Sequence, residues 1–264
     1  YLLGQLNAGR AFTQRSNAAK ALAEASLTDS QLSRLAKQLG SLGTAEATVL
    51  LPAFGGGRDA TLGQALLAVL GQASWLRGLD DAVLQKATGG FGKTVQGQAV
   101  DLLAKARAAP VDQTKRLREL ADRLPGGDAL RGKAVFRGPK AGCSICHSMA
   151  YHGGQFGPDL TRIGQVRKKM DLLEAIIFPS ASLVRSYETM QVSTGGGDVL
   201  AGIIRDQGVG HVSLGVSPEK TTRIERGNIR KIEPLNISLM PAGMDQVLTL
   251  RELGDLIAYL EASR

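Results

Sequence analysis

The spacing of hydrophobic residues changes twice along this chain of 264 residues, and the changes limit the folds open to it. Residues 1–124 carry leucine and alanine every three or four positions, which is the spacing of amphipathic helices. Residues 187–233 alternate between apolar and polar, with glycine-rich turns, as short β-strands do. Residues 249–262 return to the helical spacing. The pattern predicts a mainly α chain with a small all-β insertion.

The N-terminal helices are predicted to end at nearly regular intervals. Thr28 and Gln31 form a capping box, and Gly40 predicts a left-handed end to the helix that follows. Later leucine stripes end at Gly71 and before Pro110. This spacing is typical of stacked HEAT-like helical hairpins, and an irregular helical bundle fits nearly as well. We predict no catalysis here, because the region has no cluster of His, Cys or paired carboxylates.

The best linker is the Pro-Gly-Gly run at 125–127. It divides the chain into a HEAT-like helical domain over 1–127 and a second domain over 128–264. Within the second domain, residues 187–233 are predicted to form five short strands in a small bent sheet or barrel. We expect this β-rich insertion to lie at the periphery of the domain.

The charge is spread along the chain. The 32 Lys and Arg against 24 Asp and Glu give a net charge of +8, and the one dense basic run, 167–169, lacks interleaved aromatic residues. We therefore predict no nucleic-acid partner. No apolar run approaches the ~18 residues of a transmembrane segment. Because the chain begins at Tyr1, we expect it to derive from something longer.

Both cysteines lie in one motif, Cys143-Ser-Ile-Cys146-His147. This C-x-x-C-H pattern is the signature of covalent haem attachment. Two thiols about one helical turn apart can add across the two vinyl groups of a haem, and the next residue then offers an imidazole to the iron. The motif predicts haem c on Cys143 and Cys146, with His147 as an axial ligand.

Three other interpretations of the motif remain open. A structural zinc site needs four ligands, and only His152 and His211 remain elsewhere in the chain. A thioredoxin-like redox pair requires a βαβ context, whereas the flanking sequence here is helical and rich in glycine. The motif can also occur by chance and be inert.

A haem iron also has a second axial position. Met240 precedes Pro241, which restricts it to extended conformations in a stiff loop before the last helix. Met244 is its nearest rival and follows Gly243 in a looser segment. The weaker candidates are Met149 beside the motif, Met170 on an apolar helix stripe that favours core packing, Met190 in a predicted strand, and the two remaining histidines.

The order of these features resembles class I cytochromes c. Gly132 and Phe136 stand in a helix before the haem motif, a Gly-Pro loop follows at 157–158, and Met240-Pro241 precedes the C-terminal helix. The resemblance implies that the first and last helices of the domain cross at Gly132. It also implies that the Pro158 carbonyl accepts a hydrogen bond from His147 Nδ1 and that Leu160 packs on the haem.

His147 and Met240 are farther apart than in a compact cytochrome, because the β insertion lies between them. With Ile176–Ser180, the β insertion and Ser238–Pro241 in this order, the second domain resembles the haem-binding domain of the planctomycete and verrucomicrobial type. Domains of that family often follow helical repeats in large exported proteins, sometimes with a dehydrogenase-like propeller upstream. The resemblance covers about 128–264.

This resemblance implies an electron carrier rather than an enzyme. One-electron transfer would pass through a single haem with His/Met ligation, between a redox partner protein or dehydrogenase domain and an acceptor. The location implied is periplasmic or otherwise exported. One alternative is a haem enzyme or gas sensor with an open or displaceable sixth iron site. Another is an interaction scaffold in which haem serves structure.

Overall fold

The computed structural model describes residues 1–7, 9–40, 42, 44–73, 75–108, 113–235 and 237–264. The chain divides into two compact units. The first contains Tyr1–Arg123, Pro139–Ala141 and Ala242–Leu250. The second contains Leu124–Gly138, Gly142–Pro241 and Arg251–Arg264. Each unit is therefore assembled from separate stretches of sequence.

The first unit is helical over its described residues. Its helices are α1 (Leu2–Gln5), α2 (Phe12–Glu24), α3 (Asp29–Leu39), α4 (Thr44–Leu50), α5 (Ala60–Gln72), α6 (Asp81–Thr88), α7 (Lys93–Ala108) and α8 (Gln113–Arg123), with 3-10 segments at Leu51–Gly56 and Leu76–Gly78. Helices α3, α5 and α7 contact one another in succession, and α2 contacts α4. Their leucine and alanine stripes meet in one hydrophobic core.

The predicted capping box at the start of α3 is confirmed. The Gln31 amide donates to Thr28 Oγ1 at 3.4 Å, and the Thr28 amide donates to Gln31 Oε1 at 2.9 Å. Gly40 does follow the helix, but with φ −65° it is right-handed, so the predicted left-handed end is wrong. The Gly40 backbone amide instead donates to the backbone carbonyl of Gln38 at the end of the helix.

Hydrogen bonds from Arg15 and Phe12 of α2 join the short segment 139–141 to the helices of the first unit. The Arg15 guanidinium donates to Glu46 Oε1 at 2.9 Å, and both side chains are only 3% exposed. The same guanidinium donates to the Lys140 carbonyl at 2.9 Å. The Phe12 amide adds a bond of 2.7 Å to the Pro139 carbonyl. The residues that precede the C-x-x-C-H motif are thereby fixed on α2.

The second unit combines helices with two sheets. Its helices are α9 (Ala129–Arg137), α10 (Cys143–Cys146), α11 (Ile163–Val166), α12 (Lys169–Ile177) and most of α14 (Leu250–Ala262), while α13 (Met244–Val247) belongs to the first unit. The strands are β1 (Ser148–Met149), β2 (His152–Gly153), β3 (Thr189–Thr194), β4 (Val199–Gln207), β5 (His211–Ser217), β6 (Lys220–Glu225) and β7 (Ile229–Leu235).

The larger sheet has five antiparallel strands in the order β6-β5-β4-β3-β7. Alternate side chains from its strands meet on one side, where Val192, Leu214 and Ile224 are buried. The predicted β-rich segment does form a sheet, and β7 extends it to Leu235. The sheet thus has a small hydrophobic core of its own.

The predicted fold class is wrong. We expected a mainly α chain with HEAT-like helices and a class I cytochrome c domain, whereas the chain is 53% helix and 15% strand and does not clearly show a cytochrome c fold. The reason lies in the segment treated as a small insertion. Its alternating residues pair into a complete sheet with a buried face, so the second unit is a mixed structure of short helices and a sheet.

Helices α9 and α14 approach closely within the second unit. Gly132 in α9 lies directly against the backbone carbonyl of Asp255 in α14. The rings of Phe136 and Tyr259 pack beside this point with centroids 5.7 Å apart. The Arg131 guanidinium donates to both carboxylate oxygens of Asp255 at 2.8 Å, and this bonding lowers the pKa of Asp255.

Replacing Gly132 with alanine tests this approach. A Cβ at Gly132 would overlap the Asp255 carbonyl, which cannot move without shifting α14. We expect Gly132→Ala to lower the free energy of unfolding by about 1–3 kcal/mol, as overpacking does. The measurement is a urea unfolding curve monitored by circular dichroism.

The control is Gly126→Ala in the same unit. A Cβ at Gly126 would meet nothing within 4 Å, so this variant should keep wild-type stability. Equal stability of the two variants would show that the helices do not approach each other this closely.

Candidate functional site

The C-x-x-C-H motif forms one turn of helix, α10, at the start of a tightly bonded loop. Gly142 enters the turn with φ +68°, a conformation that favours glycine. The two cysteines are free thiols, half-buried, and three residues apart, so they share one side of the turn. The His147 amide donates to the Cys143 carbonyl at 2.9 Å and closes the turn. The backbone that carries the side chains of Cys143, Cys146 and His147 is therefore held in one hydrogen-bonded turn.

A hydrogen bond fixes the orientation of the His147 ring. Nδ1 lies 2.8 Å from the Pro158 carbonyl, which can only accept, so Nδ1 carries the proton. Nε2 of the neutral ring then keeps a free lone pair, which is the form that binds metals. This is the bond that the resemblance implies for Pro158.

Glycine is required where the loop passes the imidazole. A Cβ at Gly157 would overlap the His147 ring, so the backbone there lies directly against it. The Gly157 amide also donates to the Cys146 carbonyl at 2.7 Å. The loop is thus bonded to the same turn whose histidine it orients.

Further bonds close the loop from His147 to Thr161. The Leu160 amide donates to the Ser148 carbonyl at 2.9 Å, and the half-buried Leu160 side chain stands at the end of the loop. The Asp159 carboxylate accepts from Ser148 Oγ at 2.6 Å and from the Thr161 amide at 2.7 Å. These bonds lower the pKa of Asp159 and keep it ionised.

Burial raises the pKa of both thiols. The pKa of Cys143 is raised to about 12, chiefly by burial, and that of Cys146 to about 11, by burial and then by the nearby charge of Glu219. A dithiol redox pair depends instead on a cysteine with a lowered pKa. The environment therefore favours protonated thiols and argues against the thioredoxin-like interpretation.

Burial also lowers the pKa of His147, and the bond to Pro158 opposes this only in part. The imidazole is consequently neutral at physiological pH. Within the described ranges, no group of three or more His, Cys, Asp or Glu side chains is arranged to hold a metal ion. The geometry gives no support to the zinc alternative.

Met240 and Met244 lie in different units. Met240 belongs to the second unit, with the motif, and its side chain is half-buried. Its amide donates to Ser238 Oγ at 3.1 Å, and the Ser238 amide donates to Ser180 Oγ at 3.0 Å. Met244 belongs to the first unit and is only 5% exposed in α13. Met240 is thus held in a loop, whereas Met244 is packed.

The remaining candidate ligands lie elsewhere. Met149 is buried beside the motif, and Met190 packs against the core of the sheet. Met170 is 40% exposed, so its predicted core role is wrong: its neighbours Leu172 and Leu173 turn inward instead. His152 is exposed in β2, and His211 pairs with Asp206 at 2.8 Å.

Sequence reasoning missed Phe156 and Arg205. The Phe156 ring is only 8% exposed, and the Arg205 guanidinium lies 5.1 Å from its centroid. Arg205 comes from β4, so the sheet contacts the residue that precedes Gly157. The predicted β-rich insertion thus contacts the loop that carries Gly157 and Pro158. Phe156 carried a weak signal, as an aromatic residue before Gly-Pro, whereas Arg205 carried none.

Comparison with known proteins adds no family. No protein-family model matches the chain, and no curated protein matches it either. In the part of the chain that the structure describes, no helix is both long enough and apolar enough to cross a membrane.

The raised thiol pKa values predict slow alkylation of the haem-free protein. At pH 8.5 a thiol with a pKa near 11 is thiolate in well under 1% of molecules, so iodoacetamide should react about a hundredfold more slowly than with free cysteine. The rate should rise with pH beyond 9 and become ordinary after unfolding in urea, the control. Rapid reaction at pH 7 would instead indicate an activated thiolate and favour a redox pair.

Proposed function

We propose that this chain transfers single electrons through one haem c bound covalently to Cys143 and Cys146. One observation carries the proposal: the two thiols share a helical turn with a histidine whose Nδ1 is already bonded to Pro158. The spacing matches the two vinyl groups of a haem, and the fixed imidazole matches an axial iron ligand. The donor set therefore fits the group.

The residues of the chain have separate roles in this proposal. Cys143 and Cys146 would hold the haem through thioether bonds, and His147 would bind the iron through Nε2. Pro158 orients the imidazole and increases its donor strength through the Nδ1 proton. Gly157 allows the backbone to lie against the ring, and Leu160 would add an apolar contact. When bound, the haem supplies the Fe(III)/Fe(II) couple.

Met240 is proposed as the second axial ligand. Three features support it over Met244: it shares a unit with the motif, it is half-buried rather than packed, and Ser180 and Ser238 hold its loop. A thioether favours Fe(II) and so raises the reduction potential. These roles suit an electron carrier that serves a redox partner protein or dehydrogenase domain. We propose a periplasmic or otherwise exported location on the same basis.

Replacing each methionine with leucine tests the ligand. Met240→Leu should lose the near-infrared sulfur-to-iron band, lower the midpoint potential and allow carbon monoxide to bind, because the sixth position loses its thioether. Met244→Leu, the matched control, should retain all three wild-type properties. The measurements are optical spectra with and without carbon monoxide and a redox titration.

Two results would contradict the assignment. Loss of the band in Met244→Leu alone would transfer the role to Met244. A wild-type protein that binds carbon monoxide readily and shows no sulfur band would favour the haem enzyme or gas sensor with an open sixth site.

A further inference from the structure

We propose that the five-stranded sheet is part of the redox site, and that Arg205 on β4 raises the reduction potential of the haem. The inference rests on the proposed function and deepens it by naming a residue that sets the potential. Arg205 would act through its charge and through the loop that orients His147. It is thus a positioning residue rather than an iron ligand.

A β-bulge directs Arg205 out of the regular ladder. Ile204 pairs with Leu214 and Asp206 with Ser213, so Arg205 has no partner residue on β5. Bulges of this kind redirect a side chain and are common beside functional sites. The extra residue in β4 is accordingly the one that reaches the Phe156 ring.

A glycine on the neighbouring strand makes room for this contact. A Cβ at Gly215 would lie 3.0 Å from Arg205 Nε and 3.4 Å from Phe156 Cε2, tighter than most real contacts. Gly215 in β5 therefore lets the guanidinium and the ring pack together. The ring is buried, and the cation over its face gains from the electrostatic attraction of the aromatic system.

The contact continues directly to the imidazole. Phe156 is followed by Gly157, which lies against the His147 ring, and by Pro158, which accepts the Nδ1 hydrogen bond. Three consecutive residues thus connect the sheet to His147. A displacement of Phe156 would therefore shift the His147 imidazole, which is the proposed iron ligand.

The charge of Arg205 is expected to act on the haem from this position. A nearby cation disfavours the oxidised haem, which carries one more positive charge than the reduced haem. Arg205 should therefore raise the potential. The Arg205 side chain is exposed, so salt should weaken this effect.

Removal of the Arg205 charge tests the inference in the haem-loaded protein. At low ionic strength Arg205→Gln should lower the midpoint potential, with a smaller shift in high salt. Arg205→Lys keeps the charge and should stay close to wild type. Arg223→Gln on β6, where the arginine pairs with Glu225 at 3.6 Å, is the control and should change little.

The outcomes separate the two proposals. Covalent haem in every variant, with no fall in the midpoint potential of Arg205→Gln, would overturn the inference and leave the proposed function standing. Absence of covalent haem in the wild type would overturn the proposed function. If Arg205→Gln does not load haem, Arg205→Lys still decides, because a large fall in its midpoint potential contradicts the inference.

Discussion

The hydrogen bond from His147 Nδ1 to the Pro158 carbonyl is the contact on which the rest of the site depends. It selects the tautomer, and hence which nitrogen can bind a metal. It can form only because Gly157 lets the backbone pass against the ring and because the Gly157 amide is bonded to the Cys146 carbonyl. The two thiols and the imidazole are therefore positioned by one short stretch of chain.

The sheet changes how this stretch is supported. An insertion that only extends a loop would leave the histidine unaffected, but the bulge at Arg205 brings a cation onto Phe156. A mixed second unit of short helices and a sheet accounts for these contacts better than a helical domain with a peripheral insertion, because the strands then contribute to the site.

Local features could be predicted from residue spacing, and the close approach of α9 and α14 at Gly132 is the one that the resemblance implies, whereas the contacts of the sheet could not be predicted. The capping box of Thr28 and the strand positions follow from spacing that the backbone enforces directly. The fold class did not follow, because alternation in 187–233 predicts a small sheet but does not show that the sheet has a buried core of its own. Nor did the bulge at Arg205, since it depends on the pairing register with β5. The spacing predicted a buried side chain for Met170, yet that side chain is 40% exposed.

The proposed function depends on one haem bound covalently to Cys143 and Cys146. It is tested by the mass of the denatured protein after expression with a cytochrome c maturation system, followed by mapping of the peptide that contains Cys143–His147. We expect one added haem, located on that peptide and lost in the Cys143→Ser/Cys146→Ser double variant. An unmodified mass for the wild type, when a known c-type cytochrome matures in the same cells, would contradict it.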